Sequence, residues 1–543
     1  MGSSVATTGL SAVRTDAAAL SAPVRVGLTA VSALAYAAGF PPLAWPLAPW
    51  LALAPLLVAC ASVRPAQAAL LGLLWATVAA AAVAWFLPGM LSGYFGLGLV
   101  GSWLATVTVV GGLHGVYIGA FAAWVAWLAR RGAANPLLLA GGWMVVELIR
   151  SQSGVSSPWA LAAYSQIAWT PVIQIADLAG PYGIGLLIAA VNALLAAALL
   201  PSLRGRRPRV TAAIVGAALL VTGVYGQWRL ARPFADGAPV PVVVVQGGAP
   251  PRSAGERAER LARYVALSAE AGPSAGGLIV WPEHAVADYL EEDTPSRAAA
   301  LRLSREASAD LVLGGPHFAP APAGTRYHNS AWLVRDGRLA GRYDKRRLVP
   351  VAESAYTAGT GSSLLPGAAL RLGALVCFEA MFTDLARRAV DEGAEVLVNL
   401  SNDGWFGHPE PARHQLDIAT LRAVETRRYL VRAASTGISA VIDPHGRTLV
   451  ESAFGRREAL RTSVRASHVI TPYQRWGDLP AWLAVAGVVF ATSRTWLGAR
   501  ASRPQRGSGA LRERAPELAL AHQRLPAAGE TPALPGTNNR RYP

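Results

Sequence analysis

The chain's 543 residues are 52% hydrophobic and only 15% charged, with a mean hydropathy of +0.33, which excludes an ordinary soluble globular protein. The formal net charge of +16 does not point to nucleic acid, because many arginines flank apolar runs, where they anchor and orient membrane spans. Two cysteines exclude a disulfide framework, and nine histidines without HExxH-type spacing, in a chain with no CxxC, predict no metal.

Residues 1–25 are small and polar, with Arg14 and Arg25 ahead of the first apolar run and no convincing cleavage site, so they read as an N-terminal segment before an uncleaved span. A helix crossing a bilayer needs about 20 apolar residues. Seven such runs fill residues 26–235: Val26–Phe40, Leu43–Ala61, Ala66–Leu87, Ser102–Leu128, Asn135–Ile149, Tyr182–Leu200 and Val210–Leu230. Pro41-Pro42 marks the first turn, and Pro88–Gly101, broken by Gly and Pro, reads as a re-entrant or interfacial piece. Arg25, Arg64, Arg130-Arg131 and the Arg204–Arg209 cluster fall in alternate connections, on one side of the membrane, which the positive-inside rule makes cytoplasmic.

Residues 236–475 have the mixed polarity of a soluble domain, and seven spans starting from the cytoplasm place them outside it. Short apolar runs at Val240–Gln246, Leu278–Trp281, Leu311–Gly314, Ala331–Val334, Ala374–Phe378, Val396–Leu400 and Ser439–Ile442 predict buried strands. Glu256–Glu270 and Gln415–Thr426 predict helices, and the alternation argues for α/β layers. An eighth span, Leu479–Leu497 within 476–498, returns the chain to the cytoplasm, and 499–543 read as a basic, disordered tail.

Three strand-to-loop transitions carry chemistry. An apolar run enters Cys377, with Glu379 just after it; Glu283 closes Trp281-Pro282-Glu283; Lys345 opens Lys345-Arg346-Arg347. A carboxylate, an ammonium and a thiol are the parts of an activated cysteine nucleophile. In this order they resemble the Glu-Lys-Cys triad of the nitrilase superfamily. Leu348-Val349-Pro350 followed by Glu353, Ser401-Asn402-Asp403-Gly404-Trp405-Phe406-Gly407, and Ser157-Pro158-Trp159 with Tyr164-Ser165-Gln166 are similar to its membrane branch, the apolipoprotein N-acyltransferases. The chain departs from that branch at Val351-Ala352, where an aromatic and a glycine are common, and at Phe378, where tyrosine is frequent.

The resemblance implies an α-helical bundle of about eight spans joined to an αββα sandwich, in the bacterial cytoplasmic membrane. It implies that Cys377 takes an acyl chain from a phospholipid as a thioester and passes it to the α-amine of a diacylglyceryl-cysteine apolipoprotein. Glu283 would be the base, and Lys345 would stabilise thiolate and oxyanion. Glu353 would hold Lys345, and Glu379 would brace the loop. Trp159, Trp405 and Phe378 would contact substrate, although Trp159 and Trp405 equally fit membrane-interface aromatics. No cofactor is required, since the phospholipid ester is already an activated donor, and nothing demands a second subunit. Two other readings stay open: a membrane-anchored nitrilase-like amidase, since water attacks the same thioester, and a transporter with an extracytoplasmic binding domain, disfavoured by spans whose one conspicuous charge is Glu147.

Overall fold

The computed structural model describes residues 20–152, 158–234, 237–248, 254–272, 274–322 and 324–501. Ser157, the first 19 residues and the tail beyond 501 therefore lie outside the described residues. The N-terminal half is helical: α1 (Ala22–Ala37), α2 (Pro49–Ala61), α3 (Pro65–Val83), α4 (Leu87–Phe95), α5 (Leu99–Ala105), α6 (Gly112–Ala129), α7 (Pro136–Gln152), α8 (Thr170–Ile173), α9 (Ala176–Leu199) and α10 (Pro208–Leu230). A π-helical stretch, Thr106–Gly111, joins α5 to α6. Prolines at the starts of α1, α2, α3 and α10 fit first-turn positions, where a missing N–H costs nothing. Small residues let α3 and α6 approach closely: a Cβ on Gly72 would stand 2.6 Å from the Ile118 carbonyl oxygen.

Four described helical segments are long and apolar enough to cross a membrane: Pro65–Val83, Leu99–Ala129, Ala176–Leu199 and Pro208–Leu230. The sequence-based count of eight is not reached on that basis. Helices α1 and α2 have 16 and 13 residues. At 1.5 Å per residue they extend only about 24 and 20 Å, short of a hydrocarbon core of about 30 Å. The apolar stretch Pro88–Gly101 is divided between α4 and the start of α5.

Residues 240–464 form two six-stranded sheets. The first has the order β12-β1-β2-β3-β4-β5 and the second β11-β10-β9-β8-β7-β6. The strands are β1 (Val240–Gln246), β2 (Leu278–Val280), β3 (Asp310–Ala321), β4 (Gly324–Arg335), β5 (Arg338–Asp344), β6 (Leu364–Pro366), β7 (Arg371–Val376), β8 (Val396–Ser401), β9 (Tyr429–Ala434), β10 (Ala440–Ile442), β11 (Thr448–Glu451) and β12 (Glu458–Val464). Alternate residues, among them Val242, Val244, Val280, Leu333, Tyr343, Ala374, Val398 and Val431, meet between the sheets. Helices α11 (Ala254–Glu270) and α12 (Pro295–Ala307) cover the outside of the first sheet. Helices α13 (Thr383–Asp391) and α14 (Pro409–Thr426) cover the second. The result is the expected αββα sandwich.

The core beneath the second sheet is continuous with that of the helical half, so residues up to Ala491 form one compact unit. The chain then passes through α15 (Pro472–Trp476) into α16 (Leu479–Ala501). The second unit begins at Thr492, and its described part is the last turns of that helix.

A buried charge cluster joins the halves. Asp177, at the start of α9, accepts from Arg427 Nη2 at 2.7 Å, from Arg229 Nε at 2.7 Å and from the Tyr225 hydroxyl at 2.8 Å. Arg427 also reaches Gln174 Oε1 at 2.6 Å. Asp177→Ala is expected to strand two guanidinium groups in this seam, at a cost of about 3–5 kcal/mol. The check is the thermal unfolding midpoint in detergent, and an unchanged midpoint would show that the pairing adds nothing.

Candidate active site

Three strand ends meet at one end of the sandwich. Glu283 follows β2, where Trp281 still donates to the Val312 carbonyl at 2.8 Å. The chain there lies so close to β3 that a Cβ on Gly314 would stand 2.6 Å from both Glu283 Cα and the Pro282 carbonyl oxygen. Lys345 directly follows β5, and its N–H donates to Asn329 at 2.8 Å. Cys377 follows β7 and opens the 3₁₀ turn Cys377–Met381 with φ of +48°, a left-handed conformation that costs a non-glycine residue energy and presents its side chain at the turn.

Lys345 is 1% exposed and is held by two carboxylates: Nζ lies 3.2 Å from Glu283 Oε1 and 2.9 Å from Glu353. Burial alone would depress the ammonium's pKa, but Glu283, Cys377 and Glu353 outweigh it, so the group stays protonated well above the ordinary lysine range. Burial likewise opposes charge on Glu283, yet Lys345, His284 and the Asn329 amide hold its carboxyl below the usual range. The Cys377 thiol is pushed up to about 12, first by burial and then by Glu283, against the pull of Lys345. At neutral pH the site therefore rests as carboxylate, ammonium and thiol.

The other expected residues fall close by. Glu353 accepts from Lys345 and from the Val349 N–H at 2.7 Å, and so ties the loop to the ammonium. Glu379 is fully buried and accepts at Oε1 from the Tyr343 hydroxyl, the Arg346 N–H and the Arg347 N–H at 2.8, 2.7 and 3.0 Å, and at Oε2 from the Val376 N–H at 2.7 Å. One carboxylate thus fixes both the turn bearing Cys377 and the loop bearing Lys345. Glu379→Gln would turn an NH₂ donor toward a backbone donor on one side. It is expected to slow acyl-enzyme formation on the order of 10–100-fold, since small misplacements of reacting groups carry costs of that scale. A parental rate of thioester formation would reduce Glu379 to a bystander.

Three further residues escaped sequence reasoning. Asn329, on β4, donates to Glu283 at 2.7 Å and to Glu353 at 2.8 Å and bridges the two carboxylates. Gln415 Nε2 lies 3.9 Å from Cys377 Sγ. Arg432, fully buried, donates to both oxygens of Asp403 at 2.9 Å and to Gln415 Oε1 at 3.1 Å. A charge within the apolar run Tyr429-Leu430-Val431-Arg432-Ala433-Ala434 was the available signal for Arg432, because a buried guanidinium needs a polar partner. Asn329 and Gln415 carried no such mark.

Glu283, Lys345, Glu353, Cys377 and Phe378 line one cavity of about 590 Å³ together with Trp159 and Trp405. The helical half contributes further walls, including Trp75, Ala79, Val83, Met90, Leu113 and Val146. The Trp159 ring packs against Phe86, Phe406 and His414 at 5.8, 5.9 and 4.6 Å. Phe378 stacks edge-on with Phe382 at 4.8 Å. The segment from Pro158 to Gln166 is pinned from below: the Ala162 N–H donates to Glu147 at 2.8 Å, and Trp50 Nε1 donates to Gln166 at 2.9 Å.

Residues 242–469 match the carbon–nitrogen hydrolase family, and residues 32–194 match the N-terminal domain of apolipoprotein N-acyltransferases. The apolipoprotein N-acyltransferase of Geobacter metallireducens is 35% identical over 481 residues, covering 81% of this chain and 89% of that one. That of Methylococcus capsulatus is 31% identical over 473 residues, covering 79% and 91%. The solved structure of an amidase from Nesterenkonia sp. is 20% identical, covers 44% of this chain and 94% of its own, and gives a TM-score of 0.35.

Proposed function

Because the chain belongs to the apolipoprotein N-acyltransferase family, we propose that it moves an acyl chain from a phospholipid to the N-terminal amine of a diacylated apolipoprotein through a Cys377 thioester. In the first half-reaction Sγ bonds to the ester carbonyl carbon, and its proton passes to Glu283. Lys345 faces the oxyanion; the C–O bond then breaks, and Glu283 returns the proton to the lysophospholipid oxygen. In the second, the α-amine attacks the thioester, the C–S bond breaks, and the amine's proton goes by way of Glu283 to sulfur. No cofactor enters, and a monomer suffices.

The observation that carries this reading is the single cavity shared by the triad and apolar helices. Drawing a lipid fully into water would cost about 0.8 kcal/mol per methylene, whereas this cavity lets the chain stay among apolar walls while its ester reaches Cys377. Incubation of the purified protein with labelled phospholipid and a diacylated lipopeptide is expected to yield N-acylated peptide. Free fatty acid alone would favour the amidase reading, and no turnover would favour a binding role.

Eight crossings, a membrane domain at 26–235, an extracytoplasmic catalytic domain at 236–475, a last crossing at 476–498 and cytoplasmic ends at 1–25 and 499–543 complete the proposal. Its support is that the connections between those bearing the arginines face the sandwich: Phe40 packs on His414, and Trp85 on His408. Single cysteines at Ser274 and Ser202, in a chain lacking both native ones, test it with an impermeant reagent on spheroplasts. Labelling at 274 and protection at 202 is expected; the reverse inverts the topology.

A further inference from the structure

A second constellation lies back to back with the triad, on the outer face of the first sheet. Side chains alternate along strands, and Val312, Ala331 and Tyr343 point into the core between the sheets. His317 on β3, His328 and Ser330 on β4, and Asp344 on β5 therefore share the opposite face. His317 and His328 are direct cross-strand partners with ring centroids 5.4 Å apart, and Ser330 pairs with Asp344. Ligand atoms of His317, His328 and Asp344 all lie within 4.8 Å of one another. Both imidazoles are buried, at 6% and 8% exposure.

The partners of the rings fix which nitrogen faces them. His328 Nδ1 is 2.8 Å from the Thr357 carbonyl oxygen, which can only accept, so Nδ1 carries the hydrogen. His317 Nδ1 meets the Glu291 carboxylate in the same way. In each neutral ring the lone pair then belongs to Nε2, with the second nitrogen braced by a carboxylate or carbonyl, the usual surroundings of a metal-ligating histidine. Arg342 Nε lies 2.9 Å from Asp344 Oδ1. The other Asp344 contact is the Ser330 hydroxyl at 2.6 Å, and the second oxygen of Glu291 is buried with no hydrogen-bond partner among the described residues.

We propose that His317, His328 and Asp344 bind a divalent transition metal, with zinc the best match to two imidazoles and a carboxylate. Glu291 and the Thr357 carbonyl act as outer partners that orient the rings. Zinc bonds of about 2.0–2.1 Å would draw the three ligands closer together. The ion would tie β3, β4 and β5 to one another. Asn329 and Lys345, each next in sequence to a ligand or within one residue of it, point the other way into the active site, so the metal steadies the strands that deliver them without touching substrate. The ligands come from three strands at wide spacing, which is why no sequence motif announces them.

The test uses the full chain in detergent, purified without a histidine tag, stripped with a chelator and titrated with zinc or cobalt alone. One zinc per chain, and a visible tetrahedral cobalt spectrum without sulfur-to-metal bands, are expected. His317→Ala and His328→Ala should abolish both, and Glu291→Gln should weaken zinc binding about 10–100-fold. His468→Ala, at an exposed histidine, should change nothing. Uptake well below one zinc, or equal uptake by the parent and all three site variants, would overturn the site. If the alanine variants fail to fold, the parent's stoichiometry and the Glu291→Gln affinity decide it.

Discussion

Cys377→Ser is expected to give a folded, membrane-inserted protein that forms no detectable acyl-enzyme. The hydroxyl nearly matches the thiol in shape, so the turn after β7 and its Glu379 brace should survive. The chemistry should not. Burial and Glu283 already push the thiol up to about 12, and Glu283 itself is held below the ordinary carboxylate range. A serine hydroxyl, harder still to deprotonate, would face the same weak base. Removing the nucleophile of a triad that acts as a unit costs on the order of a million-fold in kcat, and serine should recover little of that loss. Intact-protein mass after incubation with phospholipid alone reports the acyl adduct, and a thermal melt reports the fold. An adduct formed at the parental rate would remove Cys377 from the mechanism.

Lys345→Arg is expected to fail nearly as badly as Lys345→Met. The ammonium sits 3.2 Å from Glu283 and 2.9 Å from Glu353 and is 1% exposed, and a larger, planar guanidinium directs its donors differently toward both carboxylates. Loss of one oxyanion donor costs on the order of a hundred- to a thousandfold in rate. The methionine variant should also be destabilised by about 3–5 kcal/mol, since two buried carboxylates would be left facing each other. Arg346→Lys and Arg347→Lys should change little: Arg347 pairs with Asp384 at an exposed site, and the Arg346 side chain reaches the Thr360 carbonyl at 3.0 Å. Thioester formation measured with phospholipid alone isolates this step. A parental rate in Lys345→Arg would show that charge at this position suffices and that the ammonium's own geometry is not required.

Much of the architecture was legible beforehand because it rests on local pattern. The strands at Val240–Gln246 and Val396–Leu400 kept their predicted extents, the latter longer by one residue, since continuous apolar runs between turn residues have few alternatives. Strands β5, β6, β9, β11 and β12 went unread: β5, β11 and β12 are partly exposed and carry little apolar signal, β6 has only three residues, and the apolar run of β9 is broken by Arg432. Of the eight crossings read from the sequence, four described helical segments are long and apolar enough to span, while α2 is a shorter apolar helix of 13 residues.

The residues themselves determined that a thiol, a carboxylate and an ammonium stand at strand ends, in an order that residues 283, 345 and 377 carry wherever the chain folds. Only the tertiary structure decided what surrounds them: that Asn329 bridges two carboxylates, that Glu379 braces two loops at once, and that Arg432 holds Gln415 near sulfur. The reason is physical. Hydrophobic periodicity is a property of neighbours along the chain, whereas hydrogen bonds such as these, between residues 17 to 46 positions apart, exist only once two sheets and a helical bundle bring their donors and acceptors within about 3 Å.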